Sequence, residues 1–229
     1  MPAETSLIKP DYAPGIVLEN VTKRYRVGKE WHTVLDDISF VMPRDKNLGI
    51  LGRNGTGKTT LINLIHGQIF PDEGRIDHQG LRLSWPIGAA CLTPSLSASD
   101  NVRFVARLYN VDQDEAIAFI QDFTELGKFM EMPVTSYSSG MRARLAFALS
   151  AMIDFDCYLV DEGFNTTDEK LGRRMKERFQ SEDRTANIIV VSHSPGTIKR
   201  FCDCAVILDK GKLRYYDDVV EAIEVYKSL

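Results

Sequence analysis

The chain has 229 residues, of which 44% are hydrophobic and 26% are charged, and its formal net charge is −4 at pH 7. This composition is typical of a well-packed globular protein and excludes extensive disorder. The acidic balance also lacks the basic footprint of nucleic-acid-binding proteins, so we expect no nucleic-acid partner.

The N-terminal part begins with a polar tail, residues 1–15, which lacks the basic start and apolar run of a signal peptide. Short apolar runs at 16–18 and 38–41 predict strands, with residues 23–32 as the turn region between them. Residues 75–85 predict two more short strands.

A strand, a glycine-rich loop and a helix follow one another between residues 47 and 67. The apolar run 47–51 predicts the strand, and apolar residues at helical spacing after Thr59 predict the helix, which Gly67 ends. The loop between them matches the pattern G-x-x-x-x-G-K-[ST]. Glycines let the backbone wrap around phosphates, and successive N–H groups and the helix N-terminus direct positive charge at the anion. A chance turn is the alternative, but a strand before and a helix after favour a phosphate site.

Each side chain at the end of this loop has a chemical role in that interpretation. Lys58 places a cation between the terminal phosphates, and the Thr59 hydroxyl ligates Mg²⁺. The predicted nucleotide-binding residues of the loop are Gly52, Arg53, Asn54, Gly55, Thr56, Gly57, Lys58, Thr59 and Thr60.

The second half of the chain begins with a helical segment over about 95–150. Continuous apolar strands follow at 157–160 and 188–191, as expected for a parallel sheet covered on both faces, with a charged helix over 169–180 between them. Two more strands, 205–208 and 213–216, flank a Lys-Gly turn, and a last helix starts at Asp218. Strands that alternate with helices predict an α/β fold over residues 16–229.

Polar side chains follow two of these strands directly. Asp161 ends the strand 157–160, where it could hold Mg²⁺, and the adjacent Glu162 could act as general base on the attacking water. His193 follows the next strand and could reach a γ-phosphate. The alternatives are an acidic pair that faces solvent and a structural histidine.

Two further patterns are absent from the sequence. No stretch approaches the ~20 apolar residues that span a bilayer, so a membrane role would need a partner. The four cysteines form no Cys-x-x-Cys pair, and we expect reduced, buried or incidental thiols.

Together these motifs resemble those of ABC-type ATPases over nearly the whole chain, from about Ile16 to Leu229. Residues 137–142, Tyr-Ser-Ser-Gly-Met-Arg, stand where that family has its LSGGQ signature, at the usual distance before Asp161. The resemblance implies a P-loop NTPase core with an antiparallel β subdomain and a helical subdomain. It also implies a head-to-tail homodimer in which Ser138, Ser139 and Gly140 contact the ATP of the other protomer; a serine-rich helix cap is the alternative.

The same resemblance assigns further roles. Tyr25 matches the aromatic residue that stacks on adenine, with Trp31 as a nearby alternative. Glu162 matches the catalytic glutamate and His193 the switch histidine, which places both with Lys58 in the catalytic group; Thr59 and Asp161 would hold the metal. Residues 165–168 stand at the dimer-contacting D-loop.

The sequence also departs from the family pattern. Ser139 replaces a glycine, Met141 replaces the signature glutamine and Gly163 replaces a proline. The stretch 85–92 contains no glutamine, although the family has one there that couples the nucleotide to the membrane partner. These departures put in doubt how water and Mg²⁺ are positioned.

Several segments resemble the ATP-binding subunits of bacterial capsular polysaccharide exporters: Ser-Trp-Pro at 84–86, the run 96–109, and Asp-Glu-Gly-x-x-Thr-x-Asp at 161–168. The resemblance implies ATP and Mg²⁺ as cofactors, a polytopic membrane subunit as partner, and a polysaccharide that is handled indirectly. The subunit would lie at the cytoplasmic face of the inner membrane, bound to the membrane subunit. The chain ends at Leu229, so we expect no additional carbohydrate-binding domain such as related O-antigen exporters carry.

Other functions remain open at this point. The chain could serve an O-antigen or teichoic acid exporter, serve a small-solute importer, act as a soluble ABC-type ATPase, or bind nucleotide without turnover. The basic run 170–178 predicts a solvated helix face rather than a polymer-binding surface.

Overall fold

The computed structural model describes residues 14–87, 91–161, 173–174 and 186–229. Within these ranges the chain forms a three-stranded antiparallel sheet in the order β2-β1-β4 and a five-stranded sheet in the order β5-β6-β3-β7-β8. The strands are β1 Pro14–Val27, β2 Glu30–Pro43, β3 Leu48–Leu51, β4 Glu73–Asp77, β5 Cys157–Val160, β6 Asn187–Val191, β7 Cys204–Asp209 and β8 Lys212–Tyr216.

Six α-helices lie in the same ranges, together with short 3₁₀ helices at Gly127–Glu131 and Val134–Ser136. They are α1 Lys58–His66, α2 Ala98–Tyr109, α3 Gln113–Thr124, α4 Ser139–Ala151, α5 Pro195–Phe201 and α6 Val219–Lys227. Mixed strands and helices confirm the predicted α/β class. The predicted helical segment consists of α2, α3, α4 and the 3₁₀ helices.

The hairpin of β1 and β2 corrects the prediction for the N-terminal part. Both strands run through the predicted turn region, and the pairing closes at Val27 and Glu30 around Gly28, whose φ is 64°. Tyr25, Val27 and Trp31 lie among the polar residues of this stretch and have high β-propensity, and only a two-residue turn separates the two strands. β1 also begins at Pro14, before the predicted end of the tail; residues 1–13 lie outside the described ranges.

The region after β4 corrects a second prediction. In place of two strands over 75–85, one strand is followed by an extended segment that joins β5 through single bridges at Leu83 and Ile87. The buried Ser84 hydroxyl accepts a 2.9 Å hydrogen bond from the Leu159 amide and donates to its neighbour's carbonyl. Isolated bridges without a continuous ladder are too little to define a strand.

Apolar side chains form two cores. One lies among the helices α2–α4 and one face of the five-stranded sheet, and the other lies among α1, the opposite face of that sheet and the antiparallel sheet. The parallel strands β3 and β5 are therefore buried along their whole length, and β6 is apolar and buried from Ile188 onward, as predicted.

Two expected features of the whole chain are also clear among the described residues. No helix there is both long enough and apolar enough to cross a membrane. All four cysteines are free thiols. Burial raises the pKa of Cys157 to about 12, which keeps this thiol protonated and unreactive.

Candidate functional site

The candidate site lies at the carboxyl edge of the five-stranded sheet. β5, β6 and β3 are parallel neighbours, with Val160 opposite Val190 and Ile50 opposite Val191. The Ser192 amide donates a 3.2 Å hydrogen bond to the Ile50 carbonyl, which continues the register past the end of β6. The chain segments that leave these strands therefore meet at one edge, as ligand sites of open α/β sheets do.

The glycine-rich loop leaves β3 at this edge and enters α1. Gly55 and Gly57 have φ values of 81° and 101°, in the left-handed region that other residues rarely occupy. Gly57 is the N-cap of α1 and offers no side chain to cap it, so the first-turn N–H groups have no side-chain acceptor there. An uncapped helix N-terminus is a binding site for anions.

Gly52 and Gly57 are also required by space. A Cβ at Gly52 would lie 2.6 Å from Thr56 Oγ1 and 2.8 Å from the Leu208 carbonyl oxygen. A Cβ at Gly57 would lie 2.5 Å from Val34 Cγ1 in β2. The antiparallel sheet and β7 thus hold the loop from two sides, and the loop keeps its shape only with glycine at these positions.

Lys58 is buried and bonds to the beginning of the loop. Its Nζ donates to the Gly52 carbonyl at 2.8 Å and to the Arg53 carbonyl at 3.1 Å. Thr56 adds a side-chain hydrogen bond of 2.9 Å to the same Arg53 carbonyl. The loop therefore surrounds the ammonium group of its own Lys58. A cation enclosed by a glycine-rich loop fits a polyphosphate ligand.

The remaining loop residues lie outward. Arg53, Asn54 and Thr59 are exposed, and Thr60 is half-buried. Asp161 is half-buried at the end of β5. A hydroxyl and a carboxylate alone are too few to hold Mg²⁺, and the described residues contain no cluster of three or more metal-ligating side chains. Protein magnesium sites of this kind are completed by water and substrate phosphates, so these two residues fit a metal that arrives with a nucleotide.

His193 extends beyond β6, two residues after the last residue of that strand, and it is exposed. The register of β6 against β3 places it level with the first residues of the glycine-rich loop. The approach of His193 to the phosphates stays a prediction.

The signature segment lies at the start of α4, in the helical region. Ser138 is the N-cap of α4, and its hydroxyl accepts a hydrogen bond from the Met141 amide. Ser138, Ser139 and Gly140 are all exposed, so this helix N-terminus faces outward from the subunit. The alternative interpretation, a serine that caps a helix, is therefore correct for Ser138. A capping serine can also lie at an anion-binding helix N-terminus, so this contact does not exclude the signature role.

Tyr25 and Trp31, the two candidates for adenine stacking, lie on opposite faces of the β1–β2 hairpin. Tyr25 pairs with His32, whereas Trp31 pairs with Arg26, and paired residues share a face. Tyr25 is 41% exposed and Trp31 67% exposed. Only one of them can therefore face a nucleotide on the glycine-rich loop.

Several predicted features lie outside the described residues. These are Glu162, Gly163, the D-loop segment 165–168 and most of the predicted helix 169–180. Of the stretch without glutamine, residues 85–87 and 91–92 are described. There the Ile87 amide bonds to the Leu159 carbonyl at 2.7 Å, so this stretch is joined to the strand that ends in Asp161.

The sequence analysis did not identify the residues that hold the signature segment in place. Tyr137 is buried and its hydroxyl donates to the Phe129 carbonyl, while Arg142 donates to the Tyr137 carbonyl at 2.6 Å. The first contact joins Tyr137 to the 3₁₀ helix Gly127–Glu131, and the second joins α4 to the residue before its N-cap. A tyrosine directly before a predicted N-cap was the only available signal, and it does not specify the partner.

Comparison with known proteins gives a consistent result. A family model described as ABC transporter matches residues 35–165. The chain is 45% identical over 215 residues to the capsule polysaccharide export ATP-binding protein CtrD of Neisseria meningitidis serogroup B, covering 93% of this chain and 99% of CtrD. It is 42% identical to the ATP-binding protein BexA of Haemophilus influenzae, covering 93% of this chain and 98% of BexA.

A third relative is the polysialic acid transport ATP-binding protein KpsT of Escherichia coli, at 41% identity over 93% of this chain and 99% of KpsT. Among solved structures, the dimeric ATP-binding cassette MJ0796 in a post-hydrolysis state with ADP and Pi superposes with a TM-score of 0.75. It is 23% identical and covers 88% of this chain and 97% of MJ0796, a similarity that concerns the fold.

Proposed function

The chain belongs to the ABC transporter family, and from this premise we propose that it is the ATP-binding and ATP-hydrolysing subunit of an exporter of capsular polysaccharide. It would act as a homodimer with separate polytopic membrane subunits, at the cytoplasmic face of the bacterial inner membrane. The observation that carries the proposal is the 45% identity to CtrD over 99% of that protein. KpsT, whose name specifies polysialic acid, supports a polysaccharide as the transported class.

In this proposal the glycine-rich loop binds the phosphates of ATP. Its left-handed glycines and the uncapped start of α1 supply N–H groups, and Lys58 moves from the loop carbonyls to the terminal phosphates. Thr59 and Asp161 supply two ligands to Mg²⁺, which would neutralise charge on the phosphates when bound. Tyr25 stacks on the adenine, since a partly exposed aromatic ring can take a base without prior unfolding.

Hydrolysis needs the other subunit in this scheme. Ser138, Ser139 and Gly140 of one subunit contact the γ-phosphate bound by its partner, which agrees with their exposure at the start of α4. Glu162 orients the attacking water as general base, and His193 stabilises the charge on the transferred group. The proposal of a dimer is supported by MJ0796, whose structure is described as dimeric.

We place the membrane subunit on the helical region, beside residues 85–100. α2 carries Phe104 and Leu108 one turn apart, 60% and 67% exposed. Exposed apolar side chains at neighbouring positions indicate an interaction surface. The nearby stretch 85–87, joined to β5, would connect that surface to the nucleotide edge without the family's glutamine.

The proposal is tested by purifying a tagged chain from detergent-solubilised membranes of the source cells. We expect a polytopic membrane subunit to co-purify in comparable amount, together with ATP turnover that Glu162→Gln abolishes. Phe104→Ser with Leu108→Ser should reduce the co-purified subunit at least about fivefold, whereas Phe70→Ser, at an exposed aromatic elsewhere, should not.

Other outcomes would replace the proposal with a different function. Co-purification with ribosomal or other soluble components alone would indicate a soluble ATPase. A membrane subunit together with a solute-binding protein would indicate an importer. ATP binding with no turnover in the complete complex would indicate a nucleotide-dependent regulator.

A further inference from the structure

The C-terminal end of α3 is held by arginines from two distant parts of the chain. A helix leaves its last four carbonyls without intrahelical partners. In α3 the first of these, Gln121, accepts from the Glu125 amide, while Asp122, Phe123 and Thr124 accept from arginine side chains. Cations at this end are also favoured by the helix dipole.

Arg174 makes the stronger set of contacts. Its Nη1 donates to the Asp122 carbonyl at 2.6 Å and to the Phe123 carbonyl at 2.7 Å, and its Nη2 lies 3.1 Å from Glu125 Oε1. The guanidinium also lies over the Phe123 ring, 5.6 Å from the ring centre. One side chain thus fixes two backbone carbonyls, a carboxylate and an aromatic ring. The prediction of a solvated face for the basic run 170–178 is wrong at this position.

Arg144 makes the second contact, from inside α4. Its Nη1 donates to the Thr124 carbonyl at 3.2 Å, while its buried Nε has no acceptor among the described residues. The rings of Phe123 and Phe147 add a packing contact between the two helices, with centres 5.5 Å apart. α3 is therefore attached to α4 by one long hydrogen bond and by apolar packing.

These contacts join two elements that belong to different ATP sites of the proposed dimer. α4 begins with the signature residues, which serve the ATP of the partner subunit. Arg174 stands thirteen residues after Asp161, in the part of the chain that follows the acidic pair of the subunit's own ATP site. The end of α3 lies between them and contacts both.

We propose that Arg174 is a positioning residue that couples the two ATP sites of the dimer. In this proposal the Arg174 guanidinium and the α3–α4 contacts link the part of the chain that carries Arg174 to the signature segment that serves the other site. This inference rests on the proposed function. It predicts that cooperativity between the sites depends on the Arg174 guanidinium, while the affinity of a single site does not.

The test uses the full chain carrying Glu162→Gln, which slows turnover so that binding is read at equilibrium. MgATP binding is titrated for this parent and for two further variants, Arg174→Met and Arg173→Met. Arg173 is the exposed neighbour and provides the matched control. We expect the parent and the control to bind with a Hill coefficient above 1, and Arg174→Met to bind with one of about 1.

A second variant separates coupling from folding. Glu125→Gln removes the ion pair but leaves both carbonyl contacts, so it should lower the Hill coefficient by less than Arg174→Met does. A lower melting temperature for Arg174→Met with a Hill coefficient equal to that of Arg173→Met would overturn the proposal, because Arg174 would then only stabilise the fold. A Hill coefficient of about 1 in the parent would also overturn it. Absence of ATP binding in the parent would instead contradict the proposed function itself, and the inference with it.

Discussion

The glycine-rich loop and the signature segment are both helix N-termini that we propose bind phosphate, yet they are built in different ways. The side-chain hydrogen bonds of the loop lie within one strand–turn–helix unit, around glycines at 52, 55 and 57, while Val34 and Leu208 enclose two of these glycines from outside that unit. The signature segment depends on contacts across 5 to 52 residues of sequence, through Tyr137, Arg142, Arg144 and Arg174. The hydrogen bonds that shape the glycine-rich loop are therefore local in sequence, whereas those that hold the signature segment come in part from distant residues.

The largest expected effect tests the local half-site. Lys58→Met keeps the aliphatic stem and removes the cation, so MgATP binding should weaken roughly 10- to 100-fold, as expected for losing charge-assisted hydrogen bonds. Arg53→Ala, at an exposed loop residue whose carbonyl rather than side chain holds the loop, should change affinity less than about threefold. Isothermal titration calorimetry measures both. An equal loss in the two variants would show that the loop does not act through its backbone and Lys58.

A change in the signature segment should lower the rate of ATP turnover and leave the affinity of a single subunit for ATP nearly unchanged. Ser138→Ala removes the hydroxyl that caps α4 and that we propose contacts the partner's ATP. Steady-state ATP turnover should fall roughly 10- to 100-fold, while ATP affinity at low protein concentration stays within about twofold. The measurement is a coupled ATPase assay beside an equilibrium titration. If affinity fell as much as turnover, the two half-sites would not be divided between subunits.

A smaller effect tests the tertiary support of the signature. Tyr137→Phe removes the hydroxyl that bonds to the Phe129 carbonyl, which then keeps only the 2.9 Å hydrogen bond from the Met132 amide. The cost should be about 1 kcal/mol, or a fall in melting temperature of about 2–4 °C for a chain of this size. Tyr226→Phe on α6 is the control outside the helical region. Differential scanning calorimetry would contradict the account if the two variants melted together.

The smallest effect concerns pH and the far end of α1. Burial, and to a lesser degree the nearby His78, lower the pKa of His66 below its ordinary value of about 6.5. The unfolded chain therefore binds more protons in acid, and stability should be lost as pH falls through about 6.5. His66→Gln should flatten the fall in melting temperature between pH 7.5 and about 5.5, whereas His32→Gln, at an exposed strand position, should not. Parallel curves for both variants would assign the pH dependence to other groups.

The same contrast between local and long-range contacts explains what the sequence could predict. The strand–loop–helix unit, the apolar strands β5 and β6, and the helical region were all recognisable, because each has its own periodicity or motif. The hairpin turn was placed wrongly, since both strands continue through polar residues that pattern alone assigned to a turn.

The contacts made by Arg174 and Arg144 could not be predicted, because they satisfy backbone carbonyls, which have no side-chain signature. The opposite faces of Tyr25 and Trp31 likewise follow only from the observed register. Because the two rings lie on opposite faces, replacing Tyr25 and Trp31 one at a time would show which of them stacks on adenine.

The account depends most on the glycine-rich loop as a triphosphate site, and a direct titration of purified protein tests it. In the presence of Mg²⁺, ATP should bind at least about tenfold more tightly than AMP, because the loop and Lys58 contact the terminal phosphates and not the nucleoside. No measurable affinity for ATP, or equal affinity for ATP and AMP, would contradict the central claim.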